Sequence, residues 1–597
     1  MAKVLQQQDG VVSFDIFING SKIKDVVEIL EIAVQMEVNR ISSANILLVD
    51  GGAVGLSNEP FENSESEDFI PGNTVKIALG YNDKKETVFE GIVVSQGLSV
   101  KNGKSQLLVT CKDKAVKMTK GRFNALFTEQ KDSDAISGIA GNYGLQTDIE
   151  STSRQFTLMQ YNCSDWDFVV IRAETNNMMV LTNNNKLIVK KFDFSASPQF
   201  EINASQYIID VDLNLESENI PESFELTAWD FKEQKEIKES VSLSDGPSQG
   251  NISAKKLSGS GVNGKSNNYS SVPLTSDELK LWGQTLADKA ALSKIQGKIT
   301  IPGTSGILAG DLISLKGFSA RFNGNAFVSK VSHLVEAGEW ITTLTIGKFP
   351  EWHASLPDVE DNFASGLIPA ANGVQIAKVK KIHEDKDGNY RVLVTLPSFS
   401  GTGQDDGIWA RIAFPYASSD AGFFFFPEIN DEVMLAFINN DPRFPVITGA
   451  LYSSKNKPKE TPDEKNQFKS IHTKSGIKIR FDDEDKILVI ETPGGNSFTL
   501  DDKNKTIKAE DLNKNSVMMD DKGITLDSPG DINIKSKKNV NIEATSNISL
   551  KATSDFKAEG LSVDLSAQTS FTAKGNASAE LSASGQTTVK GAMVMIN

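Results

Sequence analysis

Cysteine is nearly absent: the 597 residues hold two, Cys111 and Cys163, in no CxxC spacing. Two such thiols build no disulfide framework, and buried apolar thiols in a reducing compartment are the expectation. Histidine is as sparse, with His333, His353, His383 and His472 isolated from one another and no HExxH anywhere. Zinc-protease chemistry is thereby excluded, and each histidine is read as structural. No stretch approaches the ~18 consecutive apolar residues of a membrane span; the tightest cluster is Phe423, Phe424, Phe425 and Phe426. Basic residues are outnumbered 62 to 78, and a net charge of −16 repels phosphate backbones and anionic headgroups. No nucleic-acid partner is expected. The polar start runs directly into alternating Val11, Ser13, Phe14, Ile16 and Ile18, so no general secretory signal is read there.

What is present supports folded cores. Hydrophobic residues are 39 % and charged residues 23 %, which fits neither a disordered nor a collagen-like chain. At ~150 residues per domain the length predicts about four folding units. Residues 11–110 alternate as short strands between Gly, Asn and Asp turns, which suggests a barrel or sandwich. Helix signals follow at residues 132–140 and at Ser164 with Asp167 three residues on, so the region is α+β. Residues 242–271, dense in Ser, Gly, Asn and Lys, read as an exposed loop. Thr275 with Glu278 forms a capping box for a helix carrying Leu279, Trp282, Leu286, Ala290 and Ile295, which Gly297 would end in left-handed geometry. Strands resume to about residue 350. Five apolar runs between Val374 and Leu451 then suggest an OB-type barrel.

Beyond Phe468 the sequence becomes periodic. Apolar pairs recur every eight residues at Ile524/Leu526, Ile532/Ile534, Val540/Ile542, Ile548/Leu550 and Phe556/Ala558. After Gly560 the register slips by one and continues through Val563/Leu565, Phe571/Ala573, Ala579/Leu581 and Thr587/Val589, while earlier pairs from Ile477 to Val517 recur at about ten. Each repeat reads as a very short strand with one apolar face. Such strands are marginal alone, whereas winding identical chains about one axis buries the faces and pairs the edges. An intertwined homotrimeric β-prism is expected. Fourteen strands per chain at about 4.7 Å per step make a needle roughly 65 Å long. Its end would bring three copies of Met593, Val594, Met595 and Ile596 to one apolar surface, a candidate cap-binding tip.

Residues 259–266, GSGVNGKS, match GxxxxGK[ST], but their flanks offer neither the strand nor the helix a phosphate loop needs. Residues 482–485 (DDED) and Asp385 with Asp387 match no calcium loop and read as β-turns. No catalytic residue, cofactor or metal is expected.

Three stretches resemble one family, the VgrG spike of type VI secretion and its relatives in extracellular contractile injection systems and contractile-tailed phages. They are residues 160–177 (QYNCSDWDFVVIRAETNN), the region from GILAGDLISLKG to VSHLVE at 306–336, and the barrel segments DGNYRVLVTLP, IWARIAFPYA and FFFFPEINDEVMLAFINNDPRFPVITGALY, ending at Tyr452. Asn430 and Asn440 stand where the family usually has Gly before Asp; Asn best tolerates left-handed φ in its place. The resemblance implies a mainly β fold with an α+β hub of two barrel-like domains over residues 1–365, an OB-fold over 366–453, a linker over 454–470 and a triple-stranded β-helix spike over 471–597. It implies a homotrimer, made in the bacterial cytoplasm, that joins an inner tube protein to baseplate proteins. A PAAR-like tip protein and effector cargo would ride on it, and the target membrane would be pierced mechanically. Two other classes compete: a tailspike-like polysaccharide-degrading trimer, and a nucleotide-dependent assembly factor using Lys265 and Ser266.

Overall fold

The computed structural model describes residues 3–4, 10–51, 61–206, 208–259, 264–347, 351–357, 359, 363–397 and 407–596. The chain divides into two compact units, Met1–Leu451 and Tyr452–Asn597. In the first, alternating apolar residues dictate strands, because side chains two apart share a face. These begin with β1 (Val12–Ile18), β2 (Ile29–Glu37), β3 (Ser43–Val49), β4 (Thr74–Tyr81), β5 (Lys84–Lys101) and β6 (Lys104–Lys112). A ribbon and two helices follow: β7 (Phe123–Lys131), α1 (Asp132–Gly141), β8 (Gln155–Cys163) and α2 (Asp165–Thr175). Then come β9 (Phe200–Asn203), β10 (Asp210–Leu215), β11 (Ser223–Asp230), β12 (Lys235–Ser242), β13 (Ser266–Ser270), α3 (Ser276–Leu292), β14 (Ile295–Pro302), β15 (Leu312–Lys316), β16 (Gly324–Glu336) and β17 (Glu339–Ile346).

The central sheet runs β9, β15, β16, β2, β3, β6, β5, β4, β1, with β17, β14 and β10 branching from β16. The two barrel-like halves expected of the hub thus share one fourteen-stranded network around two cores. One core gathers Ile16, Ile32, Ile46, Ile77, Phe89 and Leu107. The other gathers Ile202, Ile299, Ile313, Val328 and Leu344. Strand β16 joins them, giving Val335 to the first and Val331 to the second. Helices α1 and α2 close a third core with Ile136, Ile139, Phe168 and Val169.

The helix signals hold in detail. Ser164 caps α2 by accepting from Asp167 N at 3.1 Å, and Thr275 with Glu278 forms the full capping box of α3. Two expectations are corrected. Helix α3 stops at Leu292 with Ser293 as its cap, and Gly297 lies inside β14, where a Cβ would sit 2.0 Å from Asp212 O. Glycine is therefore needed there for the close approach of β10, not to end a helix. Residues 242–271 are not one open loop: Ala254–Ser258 is helical and β13 pairs in parallel with β11. A polar strand is ordered by backbone pairing to a neighbour whose other face carries Phe224, Leu226 and Ala228 into a core.

Five strands close the expected barrel: β18 (Gln375–Lys381), β19 (Val392–Thr395), β20 (Ile408–Ile412), β21 (Glu432–Phe437) and β22 (Pro445–Ala450). Val392, Val394, Val433 and Leu435 fill it. Asn430 and Asn440 adopt φ of +77° and +55°, the left-handed conformation that allows Asn in place of Gly.

The second unit is an antiparallel meander of β23 (Phe468–His472), β24 (Lys478–Asp482), β25 (Ile487–Glu491), β26 (Ser497–Asp501), β27 (Thr506–Glu510), β28 (Ser516–Asp520) and β29 (Gly523–Asp527), each paired with the next. Seven strands are therefore laddered within the chain where fourteen were expected. The described residues after Asp527 have no strand neighbour in their own chain, and a strand exists only with one.

Candidate functional site

The second unit carries an open apolar face. Each of its strands is five residues long, and its connections use left-handed residues, among them Gly476, Lys486, Gly495, Lys505 and Lys514. Equal strand lengths with short turns of two to five residues hold the register, so apolar residues stack across strands. Leu488 opposes Leu500 and Ile490 opposes Phe498; Leu500 opposes Ile507, and Val517 opposes Leu526. Residues two apart share a side, so both columns lie on one face. That face stays about 40 % exposed at Ile490, Phe498, Ile507 and Val517, and an open groove of ≈ 650 Å³ runs along Ile490, Phe498, Ala509, Val517, Leu526 and Ile532.

The ladder opens further along the eight-residue repeat. Ile534, Ile542 and Leu550 are 71 %, 68 % and 69 % exposed, and Phe556, Val563, Leu565, Phe571, Leu581 and Val589 are exposed as well. Burying one such side chain stabilises by about 1.5–3 kcal/mol, so the repeat holds tens of kcal/mol that a single chain leaves unused. The candidate tip ends this face: Met593, Val594, Met595 and Ile596 are all exposed.

The turns are charge-paired. Asp482 accepts from the backbone of Glu484 and Asp485, while Lys469, Lys465 and Lys503 pair with Asp483, Glu484 and Asp485 at 2.6, 2.6 and 2.8 Å. In the barrel, Asp385 and Asp387 clasp Arg391, whose charge holds the Asp385 carboxyl far below the carboxylate range. Both acidic sequences are thus turns tied to basic side chains. Of the phosphate-loop match, residues 260–263 lie outside the described residues; Lys265 pairs with Glu225 at 3.2 Å and Ser266 opens β13, so a strand stands where a helix N-terminus would be needed.

The first unit holds a charged cluster that sequence reading missed. Lys289 on α3, 2 % exposed, donates to Glu174 Oε1 at 2.7 Å and to the carbonyl of Glu351 at 2.7 Å, and lies 4.7 Å from the Trp352 ring centroid. Glu174 Oε2 accepts from His353 N at 2.8 Å, and His353 Nε2 meets Asp167 Oδ1 at 3.0 Å. Burial pulls the Lys289 pKa down against the attraction of Glu174. Burial pushes the Asp167 carboxyl up, but hydrogen bonds from His353 and Ser164 outweigh it and lower its pKa. The cluster fastens residues 351–353, where the chain leaves the hub sheet, onto α2 and α3. Its contacts join residues 62 to 186 apart in the chain, and the one local signal was a lysine inside the apolar stretch of α3.

Within the resembling stretch 160–177, Gln160 and Tyr143 both donate to Asp165, at 2.8 and 2.7 Å, and Arg172 holds Asp132 bidentately at 2.6 and 3.0 Å. Burial and the neighbouring carboxylate push the Tyr143 hydroxyl up to about 12. These residues fix α2 in the hub. Cys111 is buried, its thiol pushed up to about 12 by desolvation, and Cys163 is half-buried; both are free.

In chain order, a closed five-stranded barrel follows a large β hub, and a ladder of short strands makes up the second unit. Residues 375–452 match the type VI secretion system/phage-baseplate injector OB domain. Over residues 8–337 the chain belongs to the family described as the Alg8 N-terminal domain, and parts of it are similar to VgrG spike proteins. It is 31 % identical over 105 residues to the actin cross-linking toxin VgrG1 of Vibrio cholerae, covering 17 % of this chain and 10 % of that protein. It is 25 % identical over 197 residues to the type VI secretion system spike protein VgrG1a of Pseudomonas aeruginosa, covering 30 % of this chain and 31 % of the relative. The chain thus spans a tenth to a third of these curated relatives. Among solved structures, the 43 kDa tail protein of prophage MuSo2 from Shewanella oneidensis aligns at 10 % identity with a TM-score of 0.46, covering 57 % of this chain and 98 % of that one.

Proposed function

We propose that this chain is the structural, non-enzymatic spike of a contractile phage-tail-like injection machine and acts as a homotrimer. The observation that carries the reading is the open apolar ladder from Ile471 to Val589. Three copies wound about one axis bury those faces and supply the strand neighbours that residues after Asp527 lack in their own chain. A closed prism of this kind transmits thrust, because its backbone hydrogen bonds run in continuous ladders.

On this reading the hub, residues 1–365, mates with the inner tube protein and the baseplate, and the barrel, 366–453, leads through the linker 454–470 to the needle, 471–597. The protein is assembled in the bacterial cytoplasm and thrust outward through the target envelope on contraction. No helix among the described residues is long and apolar enough to cross a membrane, which agrees with mechanical piercing. Met593, Val594, Met595 and Ile596 seat a PAAR-like cap that carries effector cargo. The tailspike-like enzyme is not favoured: the acidic groups singled out in sequence are neutralised in turns instead of lining a groove.

Light scattering with sedimentation velocity tests the central claim. An elongated particle of about 194 kDa, three chains of 64.8 kDa, is expected; a 64.8 kDa monomer refutes it. Deleting residues 591–597 should leave that trimer intact and abolish capture of the cap, and retained capture sinks the tip assignment.

A further inference from the structure

The ribbon β7–β8 stands apart from every other sheet: its two strands pair only with each other. Its inner face is ordinary, with Phe127 stacked on Phe168 of α2 at 5.5 Å and Leu158 in the same core. Its outer face should be polar if water covered it. Instead the opposed pair Leu126 and Met159 is 62 % and 66 % exposed, and Tyr161 beside them is 69 % exposed. Two-stranded ribbons are marginal without cover, so this face calls for a partner.

A second unpartnered feature lies on the same unit. The β5–β6 hairpin runs on past β4: β4 pairs with β5 only as far as Ile92, so residues 95–101 form an open edge, while β6 stays paired with β3 as far as Gln106 and only the tip beyond it is free of neighbours on both sides. On that open edge Leu98 and Val100 are 50 % and 47 % exposed, although Leu107, directly opposite Leu98, is fully buried. The tip carries Lys101 and Lys104, both exposed and without an ion pair among the described residues. Glu129 in the ribbon and the exposed Asp134 at the start of α1 are likewise without ion pairs among the described residues.

We infer that the β5–β6 hairpin of one copy packs on the outer face of the β7–β8 ribbon of the next copy, so that Leu98 and Val100 cover Leu126, Met159 and Tyr161. Lys101 and Lys104 then face Glu129 and Asp134. No ladder joins the two features within one chain, and their charges are opposite, as a contact between unlike surfaces requires. On the trimer reading, this contact of two different patches repeats about the threefold axis and closes on the third copy. This deepens the trimer reading and rests on it.

The test uses full-length chain with Cys163→Ser to remove the accessible thiol, and cysteines introduced as Val100→Cys and Met159→Cys. Under mild oxidation the double variant should give covalent dimers and trimers, and each single variant only monomer on denaturing gels. Mixing the two single variants during expression should give covalent dimers. Light scattering on the same samples separates the possibilities. A trimer without cross-links overturns the seam and leaves the trimer standing; a monomer overturns both. A second arm guards against loss of fold: Lys101→Glu with Lys104→Glu should abolish cross-linking, and Glu129→Lys should restore it. Cross-linking indifferent to these charges refutes the charge pairing.

Discussion

His333 on β16 should make the hub acid-sensitive. The ring is buried between β16 and β17, with Nδ1 3.0 Å from Thr342 Oγ1 and the ring centroid 5.9 Å from that of Trp340. Its Nε2 has no hydrogen-bond partner among the described residues, so a proton added there meets no acceptor. Burial pushes its pKa down to about 4. In the unfolded chain the value is about 6.5, so folding favours the neutral ring by roughly 2.5 pKa units, or about 3 kcal/mol per chain. Because the folded pKa is the lower one, this stability is complete above pH ~6.5. It drains away as pH falls towards 4, at up to ~1.4 kcal/mol per pH unit. The assay is chemical unfolding of the wild type and His333→Leu at intervals from pH 7.5 to 4.5, followed by hydrogen exchange at the amides of β16 and β17. The variant loses stability at neutral pH because Thr342 loses its partner, but its curve should flatten relative to wild type below pH 6.5. Parallel curves across that range refute the reasoning.

Other perturbations follow from the same geometry. Lys289→Met leaves Glu174 buried and unpaired and should cost about 3–5 kcal/mol by calorimetry, most of it recovered by adding Glu174→Leu. Gly297→Ala drives a methyl into Asp212 O and should cost more than about 2 kcal/mol while loosening β10 in hydrogen exchange. Ile542→Asp should abolish the trimer in light scattering while the hub core stays folded by near-ultraviolet dichroism; a surviving trimer speaks against burial of that face. Lys503→Ala removes an exposed pair and should change stability by less than ~1 kcal/mol, so a large melting shift would show the turn ladder to be stronger than solvent screening allows.

The barrel and the needle face were legible in sequence because each is written in short periods: the five apolar runs between Val374 and Leu451 became five strands, and the pairs from Ile477 to Val517 became two columns on one face. Caps at Ser164 and Thr275 were legible because capping is a relation over three residues. What escaped was long-range. Gly297 looked like a helix stop because its local neighbourhood matched one, but the atom that demands glycine is Asp212 O, eighty-five residues earlier. The polar strand β13 carries no apolar alternation and is ordered by the backbone of β11 alone. The Lys289, Glu174 and His353 cluster has no linear signature. The tip residues were named from sequence and are exposed here; their role awaits the capture experiment.

The eight-residue repeat has a consequence for how a needle is built. On the trimer reading, a chain displaced along its partners by one whole repeat would still bury nearly the same apolar surface, so the periodic part carries little information about alignment. The strands from Phe468 to Asp527 start at spacings that alternate between ten and nine residues and end on seven, so a slip of a single strand does not restore their pattern. Alignment is therefore set at the N-terminal end of the needle, and winding proceeds from there towards Ile596. The needle closes like a zip fastener with one correct end, and a chain that began winding at its tip would be trapped out of step.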